Sequence, residues 1–296
     1  MNYTLHQLKI FVEVAKFRSI TKAANEMNMT QPALSIQLKQ FQQQFDIPLV
    51  ELIGKKIQIT DFGETVLVIA KNILDEVDLL KYKTKAYSGF LTGKLKISTV
   101  STGKYVIPYY LSGFTQQHKG IDLVLDVSNK DLTMKMLRSN EIDFAFVSVL
   151  PNNIDVYEEP LLENKLFKVI NPKYNLNDLP IIFREEGSAT RTLMTEFLGV
   201  SNERKSLQLT SNEAVKQAII AGLGYSILPL IGLKNELVNQ TLTIVPTEGL
   251  PISTYWRLIW LKNKKLSPIA QEFLQYIKEN KQTIVQENFS WYSEFR

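Results

Sequence analysis

Between Thr60 and Gly89 the residues Val66, Ala70, Ile73, Val77, Leu80, Thr84 and Tyr87 step by 4, 3, 4, 3, 4 and 3 positions. This is heptad spacing over three repeats, and it places one stripe along a single helix. A helix of about 28 residues is roughly 42 Å long, far more than a compact domain needs. The pattern predicts a linker helix over residues 61–90 that pairs with a second copy through Val66, Ala70, Ile73, Val77 and Leu80, and ends at Gly89 and Gly93. A core helix folded onto the next domain is the competing reading. The chain must then be multidomain, and its 296 residues suffice for two or three domains.

The 60 residues before that helix read as three short helices and a hairpin. Thr4 and Gln7 have capping-box spacing, and Leu5, Leu8, Phe11, Val12 and Ala15 recur at helical intervals over about 5–17. Ser19 caps a second helix in which small Ala23 and Ala24 permit close contact, and Thr30 caps a third that carries Pro32 in its first turn. Leu34, Leu38, Phe41 and Phe45 form the inner stripe of the third helix. Pro32, Ile36, Lys39, Gln40 and Gln43 fall opposite, with Ser35 on the flank and no acid among them. Glutamine can read base edges, serine and lysine can hold phosphates, and Ile36 can touch a thymine methyl; an ordinary solvated face has much the same make-up. Residues 49–60 make two extended runs around Gly54-Lys55-Lys56. Three helices and a basic hairpin predict an all-α winged helix-turn-helix domain over 1–60, with Lys55 and Lys56 beside DNA phosphates; a plain surface hairpin is the alternative.

From residue 91 strands and helices alternate, which implies a mostly parallel sheet in an α/β domain. Two sets of such units predict two subdomains, about 91–164 with 266–296, and about 165–265. Gly187-Ser188-Ala189-Thr190-Arg191 joins a turn, two hydroxyls and a guanidinium at a helix start, where an anion fits; Ser188 as a mere cap and Arg191 as a solvated side chain fit equally. Ser101, Thr102, Asn129 and Ser148 follow strands, at the ends where ligands gather, although polar turn residues are also common there. Asn212 reads most simply as a helix cap. The aromatic segment 281–296 is too apolar for a disordered end and is expected to pack, with a partner subunit as one candidate.

Composition removes several chemistries. There is no cysteine, hence no disulfide, thiolate metal site or cysteine nucleophile. His6 and His118 are the only histidines, so no histidine-pair metal motif exists, and neither a metal nor a cofactor is expected. The net charge is +4, and residues 1–60 hold seven Lys and Arg against four Asp and Glu. Charges interrupt the first twenty residues, and Gly222, Gly224, Pro229 and Gly232 break the most apolar stretch, so a soluble cytoplasmic protein without membrane contact is expected.

Leu5-His6-Gln7-Leu8 with Phe11, Ser19-Ile20-Thr21-Lys22-Ala23-Ala24, Gln31-Pro32-Ala33-Leu34-Ser35 and Ile59-Thr60-Asp61-Phe62-Gly63 together resemble the signature of LysR-type transcriptional regulators. In the second half, Ser101-Thr102-Gly103-Lys104-Tyr105, the run from Asn140 to Ala145, Arg184 to Arg191 and Ser211 to Lys216 are similar to the branch of Calvin-cycle (RuBisCO operon) and sulfur-assimilation regulators. The resemblance covers essentially the whole chain. It implies a homodimer or homotetramer that binds double-stranded promoter DNA, senses a small anionic molecule between two periplasmic-binding-protein-like subdomains, and has RNA polymerase as a further candidate partner. With the helix face and wing, it gives the DNA-facing set Thr21, Lys22, Gln31, Pro32, Ser35, Ile36, Lys39, Gln40, Lys55 and Lys56. It gives the effector set Ser101, Thr102, Asn129, Ser148, Ser188, Thr190 and Arg191. The sequence departs from the family pattern at Ile36, often arginine, at Phe41-Gln42, often Leu-Glu, and at Val50, Leu52 and Lys55 in the wing. A stand-alone solute-binding protein would need export and no winged helix. An enzyme built on Ser188 or Ser101 has no general base nearby in sequence.

Overall fold

The computed structural model describes residues 2–53, 56–86, 91–199 and 206–295. The chain divides into two compact units, Met1–Phe90 and Leu91–Arg296.

In the first unit α1 (Leu5–Phe17), α2 (Ile20–Glu26) and α3 (Gln31–Gln42) are followed by a hairpin of β1 (Val50–Ile53) and β2 (Lys56–Ile59), then by α4 (Asp61–Ala86). Each short helix starts on a hydroxyl cap. Thr4 Oγ1 accepts the Gln7 N–H at 3.2 Å while Gln7 Oε1 accepts the Thr4 N–H at 3.0 Å, and Ser19 and Thr30 cap α2 and α3. Ala23 and Ala24, fully buried, let α2 lie close to its neighbours, while Phe11, Leu34 and Phe41 fill the centre. At the start of α4 the Thr60 hydroxyl donates to the Pro48 carbonyl at 2.6 Å and accepts the Gly63 N–H at 2.9 Å. A Cβ on Gly63 would lie 2.1 Å from the Leu49 carbonyl oxygen, so only glycine fits there.

The expected dimer seam on α4 needs correction at its first positions. Val66 and Ala70 are buried in the same core as α1 and α3, and Ile73 packs against that core. Val66 and Ala70 close the first unit and are not free to meet a second copy, while Ile73 stays partly exposed. Tyr87 and Gly89 lie outside the described residues.

The second unit is built on a seven-stranded mixed sheet. β3 (Gly93–Val100) pairs in parallel with β4 (Ile121–Ser128) and β5 (Phe144–Val147), and α5 (Ile107–Gln117) and α6 (Lys130–Arg138) follow β3 and β4. β6 (Val156–Ile170) begins the second set, followed by β7 (Ile181–Arg184), α7 (Ala189–Leu198), β8 (Ser206–Leu209), α8 (Asn212–Ile220), β9 (Ser226–Pro229), α9 (Lys234–Val238), β10 (Thr243–Ile244), β11 (Ile252–Leu261) and α10 (Pro268–Phe289). The strand order is β10, β6, β11, β5, β3, β4, with β9 also on β6, and β7 and β8 form a separate parallel pair. Trp256 stacks on Phe146 at 5.3 Å, and Phe273 of α10 meets Phe114 and Phe144, packing α10 and α5 against β5.

Two strands cross the subdomain boundaries expected from sequence. β6 is one strand of 15 residues where only 166–170 are legible, and β11, expected in the second subdomain, pairs with β5 of the first. The register of β6 on β11 shifts at Leu161, immediately after Pro160, where a bulge accommodates a residue without a backbone donor. The aromatic tail also differs from expectation. α10 continues to Phe289, and Phe289 and Tyr292 are buried in the unit's own core, so the tail needs no partner subunit to cover it.

Candidate functional site

The outward face of α3 is polar and basic. Pro32, Lys39, Gln40 and Gln43 are exposed, Ile36 is 56% exposed, Ser35 is half-buried, and α3 carries no acid from Gln31 to Gln42. Gln31 at its start and Thr21 and Lys22 on α2 are exposed as well. Gln7 Nε2 donates to Gln37 Oε1 at 3.2 Å, fixing α3 against α1 from the side. An exposed isoleucine among amides and a lysine makes a surface that can hold phosphates and reach base edges and methyl groups together. Lys55 and the side chain of Lys56 lie outside the described residues.

In the second unit a narrow cleft opens where the two sets of strands meet. Val100, Ser101, Thr102, Asn129, Lys130 and Ser148 line it from the first set, and Arg184, Ser188, Ala189, Thr190 and Asn212 from the second. Arg184 is the buried cation at its centre, 3% exposed. Its Nη1 donates across the cleft to Ser101 Oγ at 3.2 Å, and Asn212 Nδ2 donates to the same oxygen at 3.1 Å. With both lone pairs engaged, Ser101 has only its proton left to offer a ligand. Ser188 stands at the N-cap of α7 but makes no capping bond, so its buried hydroxyl is also available. α6 and α7 both begin at this wall, adding N–H groups and the positive ends of two helix dipoles. Hydroxyl donors, helix starts and a guanidinium together suit a small anion.

Beside the cleft a second polar chain joins the same elements. Tyr105, just after β3, donates to Glu213 Oε2 at 2.8 Å, and Lys216 bridges Glu213 at 3.1 Å and Glu236 at 2.8 Å. Burial, then the Glu213 hydrogen bond, pushes the Tyr105 phenol well above the ordinary tyrosine range. Burial alone would raise the Glu213 carboxyl, but hydrogen bonds from Gln217, Tyr105 and Lys216 outweigh it and hold it low. Burial likewise opposes the Lys216 charge, and Glu236 and Glu213 more than offset it, so its pKa is raised.

Two family models match the chain: bacterial regulatory helix-turn-helix protein, lysR family, over residues 5–64, and LysR substrate binding domain over 88–282. The chain belongs to the LysR family. Relatives of this LysR-family regulator include the HTH-type transcriptional activator CmpR of Synechocystis, 37% identical over 93% of this chain and 95% of the relative. The RuBisCO operon transcriptional regulator of Allochromatium vinosum is 33% identical over 94% and 96%. These names bear out the Calvin-cycle branch and describe transcriptional regulators rather than enzymes. Among solved structures, the Synechocystis CcmR regulatory domain in complex with 2-PG is 32% identical with a TM-score of 0.58, covering 64% of this chain and 98% of its own. Full-length OxyR from Pseudomonas aeruginosa, 18% identical, covers 96% and 95% with a TM-score of 0.73, which shows the shared fold. Full-length CbnR in complex with its target DNA has 19% identity, a TM-score of 0.62, and covers 93% and 99%. Among the described residues no helix is long and apolar enough to cross a membrane.

In this regulator the cleft gathers six of the seven residues expected for effector binding: Ser101, Thr102, Asn129, Ser148, Ser188 and Thr190. Arg191 is the correction. Its Nη1 donates to the Arg184 carbonyl at 2.8 Å and to Gln208 Oε1 at 3.0 Å, and its guanidinium lies over the Phe183 ring, so it braces β7 and β8 from outside the cleft. Sequence reasoning missed Arg184, Lys130 and Asn212. The cap of α8 is Ser211, whose hydroxyl accepts the Ala214 N–H at 3.0 Å, which frees Asn212 to reach Ser101. The signal for Arg184 was present: as the last residue of a strand it sits where parallel strands present ligand groups.

Proposed function

We propose that this LysR-family regulator binds promoter DNA through the exposed face of α3 with Thr21 and Lys22, acts in the cytoplasm as a homo-oligomer, and is switched by a small anionic metabolite held in the α/β cleft. The observation that carries the effector reading is the buried Arg184 guanidinium bonded across the cleft to Ser101, ringed by hydroxyls and the starts of α6 and α7. The polar groups converge from both strand sets on one narrow opening, which suits a small ligand over a large one. The CcmR regulatory domain in complex with 2-PG supports the same chemistry, and 2-PG is the first molecule to try. An anion that bonds Ser101 and Arg184 together favours the closed arrangement of the two strand sets, and differential binding of one arrangement is what a switch requires. Because Val66 and Ala70 are buried, self-association through α4 falls to Leu80 of the expected stripe, 68% exposed, and to outward residues such as Val68 and Ile69.

The test is calorimetric titration of 2-PG into the full chain, with DNA footprinting at matched salt with and without it. Saturable binding that changes the footprint and is lost in Arg184→Gln supports the reading. Binding indifferent to Arg184→Gln, or no response to 2-PG or inorganic phosphate, refutes the assignment of this cleft.

A further inference from the structure

The cation at the centre of the cleft already has an anion on it. Glu185 Oε2 accepts from Arg184 Nε at 2.8 Å and Glu185 Oε1 from Nη2 at 2.8 Å, the parallel two-bond geometry in which a free carboxylate or phosphate binds arginine. Nη2 also lies 3.5 Å from the Thr210 carbonyl, and Nη1 faces Ser101. Four of the five guanidinium protons are engaged, three on protein groups outside the cleft. The two residues are neighbours in sequence. In a continued strand their side chains would point to opposite faces, so this pairing needs the chain to turn immediately after β7. The turn is built: the Glu185 N–H bonds to Leu209 O at 3.1 Å, the Ser188 N–H returns to Glu185 O at 3.3 Å, and Gly187 takes a positive φ of 80°. The turn that delivers Glu185 to Arg184 is thus the one that opens α7 towards the cleft.

Charge accounting points the same way. Arg184 is balanced by Glu185. Lys130, which lines the cleft, is followed by Asp131, whose carboxylate lies against Gly187, close enough that a Cβ there would meet Oδ2 at 2.4 Å. Glu213 is engaged by Lys216 and Tyr105. An entering anion therefore meets a guanidinium that an internal carboxylate already holds.

We propose that Glu185 is the internal competitor of the effector: it holds the Arg184 fork in the resting state and gives it up when an external anion binds. Effector affinity is then the difference between two ion pairs, and the cleft favours anions that outcompete one carboxylate, namely phosphate monoesters and other multiply charged small anions. Because Glu185 and Ser188 share the turn before α7, the exchange also moves the start of that helix. The inference rests on the anion reading of the cleft and adds to it the residue that sets affinity.

The experiment is thermal-shift and calorimetric titration of the full-length protein with inorganic phosphate at about pH 8, where phosphate is mainly the dianion, comparing wild type, Glu185→Gln and Glu185→Ala. A carboxylate that must leave the fork before the anion binds lowers affinity by the strength of its own ion pair, which in a partly buried site is about tenfold or more. Both variants are expected to bind phosphate at least about tenfold more tightly than wild type, since both lack the competing carboxylate. The gain disappears when Arg184→Gln is present, and this coupling would not arise from a change in fold stability alone. Equal or weaker binding by Glu185→Gln and Glu185→Ala, with wild type still binding, overturns the competitor and makes Glu185 a positioning residue for Arg184. If none of the three proteins binds phosphate or 2-PG, the anion reading itself fails, and the inference with it.

Discussion

Replacing Tyr105 by phenylalanine isolates one bond between the segment after β3 and the start of α8. The ring remains against Gly232, where a Cβ would sit 3.3 Å from the Tyr105 edge, so the variant removes a hydroxyl without opening a cavity. The lost bond is a 2.8 Å hydrogen bond to a carboxylate. Such bonds contribute about 1.5–3 kcal/mol. Glu213 is 41% exposed, so water replaces part of the bond. The expected cost is therefore about 1 kcal/mol. For a unit of this size that is a fall in Tm of about 2–4 °C. The pH dependence is more diagnostic than the size. The Glu213 pKa is lowered in the folded protein, so its contribution is present above the ordinary glutamate value and fades as pH falls through the lowered one. The Tyr105 pKa is raised, so its contribution is present below the ordinary tyrosine value and fades as pH rises through the raised one. The difference in Tm between wild type and variant should be full between about pH 5 and pH 9 and shrink at both ends. Melting curves across about pH 3 to pH 11 test this. A difference that is absent at neutral pH, or constant across the range, refutes the assignment of this bond.

Ile36→Glu should weaken DNA binding by at least about tenfold through repulsion from phosphate while leaving stability within about 0.5 kcal/mol, because the site is exposed; gel shift and melting together check it. Lys39→Gln should lower affinity about equally for specific and non-specific DNA and reduce the salt slope by about one; a change confined to one sequence would refute phosphate contact. Phe273→Ala should destabilise the second unit by about 3–5 kcal/mol, since it removes a fully buried ring between Phe114 and Phe144; a loss under about 1 kcal/mol in urea melts would contradict that packing.

Local chemistry made much of the chain legible. Thr4, Ser19 and Thr30 announce the three helices because caps are a property of adjacent residues, and the α3 stripe separates its inner from its outer face. What sequence could not show depends on distant partners. The heptad stripe of α4 is real, yet Val66 and Ala70 are used inside the unit because α1 arrives to cover them. β6 is concealed by Glu158, Glu159, Pro160, Glu163 and Asn164, whose polarity argues against a strand until β11 pairs with it. In the cleft, nearness to the Gly-Ser turn favoured Arg191, but side chains follow the end of β7, which sends Arg184 towards Ser101 and leaves Arg191 over Phe183. Ser211 and Asn212 are both plausible caps, and only the fold decides which side chain is released for Ser101.

The contact between Gly63 and the Leu49 carbonyl has a mechanical meaning. With Thr60 tied to Pro48 and Val66 and Ala70 packed on the core, the beginning of α4 cannot swivel independently of the helices that carry the α3 face. Its 26 residues are then a stiff arm about 39 Å long, fixed at one end to the three short helices. A tilt of about 5° over that arm displaces an end by about 3 Å, close to the rise of one base pair. If the α3 face reads DNA as proposed, a lever of this kind turns small angular changes far along the helix into whole base-pair steps between two such faces, with no change inside the three-helix unit itself.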